Sequence, residues 1–357
     1  MGRDRAWTPL QGGLPPADAV TGPVVEIACD ESGFSGTNLL DPATPVITHA
    51  SVDLAAGEAA GLITALRSGF RYSPDELKSG RFLRGPGAGE ALEWLLTALT
   101  GRAHVHLVDK EYFLVTRIVD LFLAEPSYAA GTRLTQDHRP AALALYRAGR
   151  PAAGWADFLA AFVELARIKR RHRPDRRALD RFFRTRDTLV RAGLGAPAAG
   201  ILGDLSRTQV QAVLTRLCDD DRSIPPPLEP MLPALAETVL FWSGGVRQVL
   251  VIHDEQSALT ADRLRRLQQV LADAAGPSPA RLSPLAGPSP ARLSPLAGPS
   301  PARLSPLAGL VTVDSRDDPR VQVADLLAGV ARRLPRTVAE GPLRPFLSPT
   351  SLRDPGS

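Results

Sequence analysis

The chain reads as an α/β protein in which a mixed sheet is flanked by helices, and three observations predict it. Short apolar, β-branched runs bounded by polar breaks recur at residues 24–29, 105–108, 249–252 and 310–313, the pattern of buried strands, and residues 45–54 read as a further strand. Stretches of helical periodicity separate these runs. Acidic residues stand just beyond four of them, or on a helix that follows.

Residues 1–22 are rich in Gly and Pro and are expected to form a flexible tail. Strands at 24–29 and 45–54 open a single domain over 23–335. Helical spacing follows at 62–70 and at 89–99, where Ala91, Leu92, Leu95, Leu96 and Leu99 recur, with a polar loop at 75–78 between them. After the strand at 105–108, no strand-like run appears until about residue 245. Amphipathic stretches at 113–123, 155–168, 179–189 and 208–217 make residues 112–245 a large helical insertion. The sheet resumes at 249–252, a helix covers 260–271, and 310–313 is the last strand. A final helix starts at Pro319, which suits the first helical position, with Asp318 as its N-cap.

Residues 275–307 are three identical copies of AGPSPARLSPL. Each copy holds three prolines, which excludes an interior helix or strand and predicts a disordered surface loop. Residues 336–357 are expected to be a second flexible tail.

Composition sets bounds on function. A chain of 357 residues with 44% hydrophobic content fills the core of a globular enzyme. No apolar stretch approaches the roughly 18 residues of a membrane span, and the N-terminus lacks the apolar region of a signal peptide. The two cysteines, Cys29 and Cys218, form no framework, which fits a reducing cytoplasm. The net charge is only +4, but residues 167–191 carry eleven Lys or Arg against Asp175, Asp180 and Asp187. Arg170, Arg171, Arg176 and Arg177 are the candidate contacts to a nucleic acid, with Phe182 and Phe183 available for packing or base stacking. The competing reading is a solvated amphipathic helix with Leu179, Phe182, Phe183 and Leu189 in the core.

The chemistry lies in the acids. In open α/β sheets ligands bind outside the carboxyl ends of the strands, so Asp30 and Glu31, Asp109 beside Lys110, Asp254 and Glu255, and Asp314 together with Asp325 would converge on one crevice. Two carboxylates about 4 Å apart repel by roughly 4 kcal/mol at an effective dielectric near 20, so a cluster must take up protons or bind a cation. Without a CxxC pair or an HExxH, the available ligands are hard oxygens, which select Mg²⁺ or Mn²⁺ and point to phosphate chemistry. Asp30, Asp254 and Asp325 are the candidate metal ligands, with Glu31 as a fourth ligand or orienting group. Lys78 is placed to neutralise a phosphate, unless it is a solvated loop lysine, and His253 to shuttle a proton, unless it is a structural hydrogen-bonder. Gln322, Asp325 and Gly329 share one helical stripe, which points Asp325 either into the crevice or to solvent.

Taken in order, these pieces resemble the bacterial family called domain of unknown function 3800: Asp30 to Gly33, Glu76 to Lys78, Asp109 and Lys110, Asp254 and Glu255, Asp314 and Ser315, and the Gln-x-Ala-Asp-Leu run Gln322 to Leu326. The resemblance covers roughly residues 24–335. It implies a ribonuclease H-like core whose acids come from the first strand, a later strand and a C-terminal helix. A Mg- or Mn-dependent nuclease or phosphodiesterase is the function expected. A non-catalytic nucleic-acid- or protein-binding module on the same fold is the alternative, and a metal-dependent phosphatase the third, weakened by the absence of a Walker A loop and a DxDx(T/V) motif. The proline-rich triplication and the Arg-rich helical part depart from the family pattern.

Overall fold

Alternation along the first strand decides the layering. β1 (Val24–Ser32) sends Val25, Ile27 and Cys29 to one face and Ala28 and Asp30 to the other, and all five are buried. A strand covered on both faces needs helices above and below it. The computed structural model describes residues 13–16, 23–36, 38–70, 72, 78–85, 87–167, 174–274, 304–334 and 341–356.

The five-stranded sheet has the order β3-β2-β1-β4-β5. β2 (Val46–Val52) runs antiparallel to β1 and to β3 (Ala103–Asp109), whereas β4 (Gln248–Asp254) and β5 (Leu307–Val313) run parallel to β1. The C-terminal ends of β1, β3, β4 and β5 therefore share one edge of the sheet. Cys29 pairs in register with His253, so the next residues along, Asp30 and Asp254, are neighbours across the strand pair at that edge.

On one face, α1 (Ala56–Gly69), α3 (Ala88–Ala98) and α12 (Pro319–Arg333) pack Ile63, Leu95, Leu326 and Leu327 onto Ala28, Val52, Ile252 and Val311. α12 begins as its sequence predicts, with Asp318 accepting from the Arg320 N–H at 2.9 Å and Pro319 in the first turn. It follows β1 along its length: Arg320 reaches Glu26 near the strand's start, and Arg332 Nε donates to Ser32 Oγ at its end, 2.9 Å away. The short α2 (Ser79–Phe82) packs on the same helix.

The other face carries the helical region. α4 (Lys110–Phe122) is its axle, buried at every position from Tyr112 to Phe122. Around it stand α5 (Arg139–Gly149), α6 (Trp155–Ala166), α7 (Arg176–Arg191), α8 (Ala196–Gly203), α9 (Arg207–Cys218) and α10 (Met231–Ser243), and α11 (Ala261–Ala274) covers β5. α7 is capped by Asp175, which accepts from the Arg177 N–H at 2.8 Å. Its Phe182 ring stacks on Phe158 of α6 at 5.3 Å and is fully buried, and Phe183 lies beneath Arg186. Both rings are thus spent on packing, which removes the base-stacking role open to them in the sequence.

Three segments differ from expectation at their edges. Leu14, within the predicted N-terminal tail, bridges β5 by exchanging two backbone hydrogen bonds with Leu310 at 2.7 and 2.8 Å. Part of the predicted C-terminal tail, residues 348–352, instead lies along β3, where Ser348 and Leu352 donate to Val105 and Leu107 and Leu352 is fully buried. The tail's Leu343, Phe346 and Leu352 supply an apolar side that covers the open edge beyond β3. The repeat lies outside the described residues except for its end, where Leu307, the last residue of the third copy, already starts β5.

Candidate functional site

The Asp-Glu-Ser-Gly run fixes one end of the site. Asp30 closes the buried face of β1, and its carboxylate accepts from the Glu31 N–H at 2.7 Å. Gly33, at φ +98°, then turns the chain; a Cβ there would sit 2.6 Å from the Val46 carbonyl oxygen and 2.7 Å from Arg332 Cδ. Only glycine fits that approach.

Four carboxylates from three elements bear on one another here. Burial raises the Asp30 carboxyl to about 9, and the charges of Glu31, Asp325 and Asp254 push it the same way. Glu31 is raised to about 7, first by burial and then by Asp254, against a hydrogen bond from Gln256. Its Oε2 is buried with no hydrogen-bond partner. Asp254 accepts from the Ser315 N–H at 3.1 Å, which ties the ends of β4 and β5 together. Asp325 projects from α12 toward the strand ends, and Lys78 Nζ lies 3.4 Å from its Oδ2. The charge of Asp325 also acts on Asp30.

The converging donors are all hard carboxylate oxygens. All the convergent groups are carboxylates, one oxygen is an orphan, and a shared proton or a cation would relieve their repulsion. Among the described residues no group of three or more His, Cys, Asp or Glu side chains stands close enough together to hold a metal ion.

The other candidates lie elsewhere or are committed to holding the fold. Asp109 caps α4 through the Tyr112 N–H at 3.0 Å and receives the Tyr146 hydroxyl at 3.3 Å. Lys110 is buried, and its Nζ donates to the Asn38 carbonyl and to Thr44 Oγ1, both at 3.0 Å, which pins the connection between β1 and β2. His253 faces the helical layer, not the acids; its Nε2 is 3.1 Å from His49 Nε2, and burial lowers its pKa, so it is a neutral core group. Asp314 is clasped by Arg316, which holds it down near 2. Gln322 donates to the Arg316 carbonyl at 3.3 Å, and Glu255 is exposed beyond β4. Arg176 and Arg177 are exposed at the start of α7, while Arg170, Arg171 and Glu76 lie outside the described residues.

One acid escapes the sequence reading altogether. Glu229, from the helical region, is raised to about 7 by burial, and its charge acts on Glu31. It lines a cleft of about 550 Å³ with Arg222, Asp262 and Arg263. The only local signal was its place just before α10, where it accepts from the Met231 N–H at 3.0 Å.

No protein-family model, curated protein or solved structure matches this chain. Among the described residues no helix is long and apolar enough to cross a membrane.

Proposed function

We propose that the protein is a divalent-metal-dependent phosphodiesterase acting on nucleic acid, built on a ribonuclease H-like core. The observation that supports this reading is the placement of Asp30 and Asp254 at the ends of two parallel strands in register, with Asp325 on the helix laid along them and both charges acting on Asp30. The strand order, with only β2 reversed, suits the same core.

Asp30, Asp254 and Asp325 would hold Mg²⁺ or Mn²⁺, with Glu31 as a further oxygen donor or orienting group. Such a cation supplies Lewis acidity toward a phosphoryl oxygen and a more acidic water. Glu31, raised to about 7 and with one oxygen unpartnered, is suited to take the proton from an attacking water near neutral pH. Asp30, raised to about 9, would carry a proton near neutral pH and would have to give it up to serve as a ligand. Lys78, with its ammonium largely exposed beside Asp325, can meet a phosphoryl oxygen. Arg176 and Arg177 add long-range attraction for a polyanion.

The test is Asp30→Asn, assayed on single- and double-stranded DNA and RNA with Mg²⁺ and with Mn²⁺. The parent should cleave at least one substrate, and the variant should lose at least about 100-fold in rate, more than orienting groups beyond a metal's ligands typically contribute. Equal rates in parent and variant overturn the proposal. Absence of cleavage in both, with binding retained, favours the non-catalytic module.

A further inference from the structure

A second, oppositely charged site adjoins the acids. α12 ends in Arg332 and Arg333, and these line a pocket of about 230 Å³ with Thr44, Pro45 and Val46. No acid lines it. Arg332 Nε is fixed by Ser32 Oγ at 2.9 Å and Arg333 Nε by Ser79 Oγ at 3.3 Å, and among the described residues neither guanidinium has a carboxylate partner. Lys110 stands behind Thr44, donating to its Oγ1 at 3.0 Å. Asp41, which accepts from that same hydroxyl at 2.9 Å, is the acid whose charge acts on Lys110.

We propose that this pocket binds a backbone phosphate of a nucleic-acid strand, next to the one presented to the carboxylates. Ser32, which orients Arg332, is the residue after Glu31, so the cationic pocket and the acid cluster share one strand tip. The two arginines are held by their Nε atoms, leaving the terminal nitrogens to form a fork suited to phosphate oxygens. Burial and Arg333 both push the Arg332 guanidinium down from its ordinary value, a crowding that an anion would relieve. The C-terminal end of a helix attracts cations in general; that accounts for basic residues there, but not for their lining, with Thr44, one pocket without an acid among the described residues. The inference rests on the proposed function only for its substrate class.

Fluorescence anisotropy of a labelled single-stranded oligothymidylate, in EDTA so that no cleavage intervenes, tests it on the full chain. The Arg332→Gln/Arg333→Gln variant should bind at least about tenfold more weakly, as for loss of charge-assisted hydrogen bonds. Its slope of log affinity against log salt should be shallower by roughly 0.7, one phosphate on a single strand. Should the double variant not fold, Arg333→Gln alone, which gives up a single hydrogen bond to Ser79, decides with the same readout. A folded variant with unchanged affinity and slope overturns the pocket, as does a parent chain that does not bind the oligonucleotide. If the variants bind more weakly but the parent never cleaves with Mg²⁺ or Mn²⁺, the pocket stands and the catalytic proposal fails.

Discussion

The acid cluster at the sheet edge and the basic helix α7 are both dense runs of charge, yet the fold treats them in opposite ways. Asp30 is almost wholly buried and crowded by three other carboxylates. On α7 the charges face water and find partners: Arg181 with Glu164, Arg186 with Asp187, and Arg207 of α9 with Asp180. Exposed pairs of that kind contribute about 0–1 kcal/mol each and are screened by salt. Charge density in a sequence therefore says little until burial is known, because burial turns repulsion into altered proton affinity.

The largest difference between the regions should appear in hydrolysis. Asp254→Asn and Asp325→Asn are each expected to lower metal-dependent cleavage by at least about 100-fold, with circular dichroism showing a retained fold. Either variant cleaving at the parental rate would detach that acid from the site.

In the basic region the apolar side matters more for stability than the charged side. Phe182→Ala should destabilise by about 3–5 kcal/mol in denaturant melts, since the ring is fully buried against Phe158 and Phe162. Arg176→Gln with Arg177→Gln should stay within about 0.5 kcal/mol. Comparable losses in the two variants would break the contrast.

Proton affinity provides the next test. A carboxyl raised in the folded state is protonated there while its unfolded counterpart is ionised, so the folded chain binds more protons and loses stability as pH rises. For Asp30, raised to about 9, and Glu31 and Glu229, raised to about 7, the loss should run from the ordinary carboxyl range up through pH 7 to 9. Melting temperature in EDTA should therefore fall across that window, and Asp30→Asn should flatten the fall. A parent whose stability rises from pH 5 to 9 would contradict the burial of these charges.

The smallest effect belongs to nucleic-acid attraction by α7. Arg176→Gln/Arg177→Gln should reduce the salt slope for duplex DNA by at most roughly 1.8, two phosphate contacts. An unchanged slope reduces α7 to a solvated face.

Much of the frame was legible because local pattern and tertiary burial coincide. The β-branched runs at 249–252 and 310–313 are strands since both faces of that sheet are covered, and Asp30 and Asp254 follow as strand-end acids. α12 announced itself through Asp318, Pro319 and a stripe of small residues. α10 carries no amphipathic signal because it is buried on nearly every side. The start of β5 at Leu307 was hidden in a proline repeat, and the segment along β3 lacks any strand periodicity. Asp109 and Asp314 look like Asp30 in sequence, but the Tyr112 N–H occupies one and Arg316 the other. Glu229, Gln256 and Arg332 reach the site only through long-range packing, so no local spacing marks them.

The central claim is that the carboxylates meet to hold a divalent cation, and the most direct measurement is the melting temperature at pH 8 with and without Mn²⁺, for the parent and for Asp30→Asn. A ligand that binds only the folded state at about 100 times its Kd adds roughly 2.7 kcal/mol. The parent should therefore gain about 3–4 °C, saturably, on a chain of this size, while Asp30→Asn should lose most of that gain. No shift in the parent, or an equal shift in both proteins, would contradict the account.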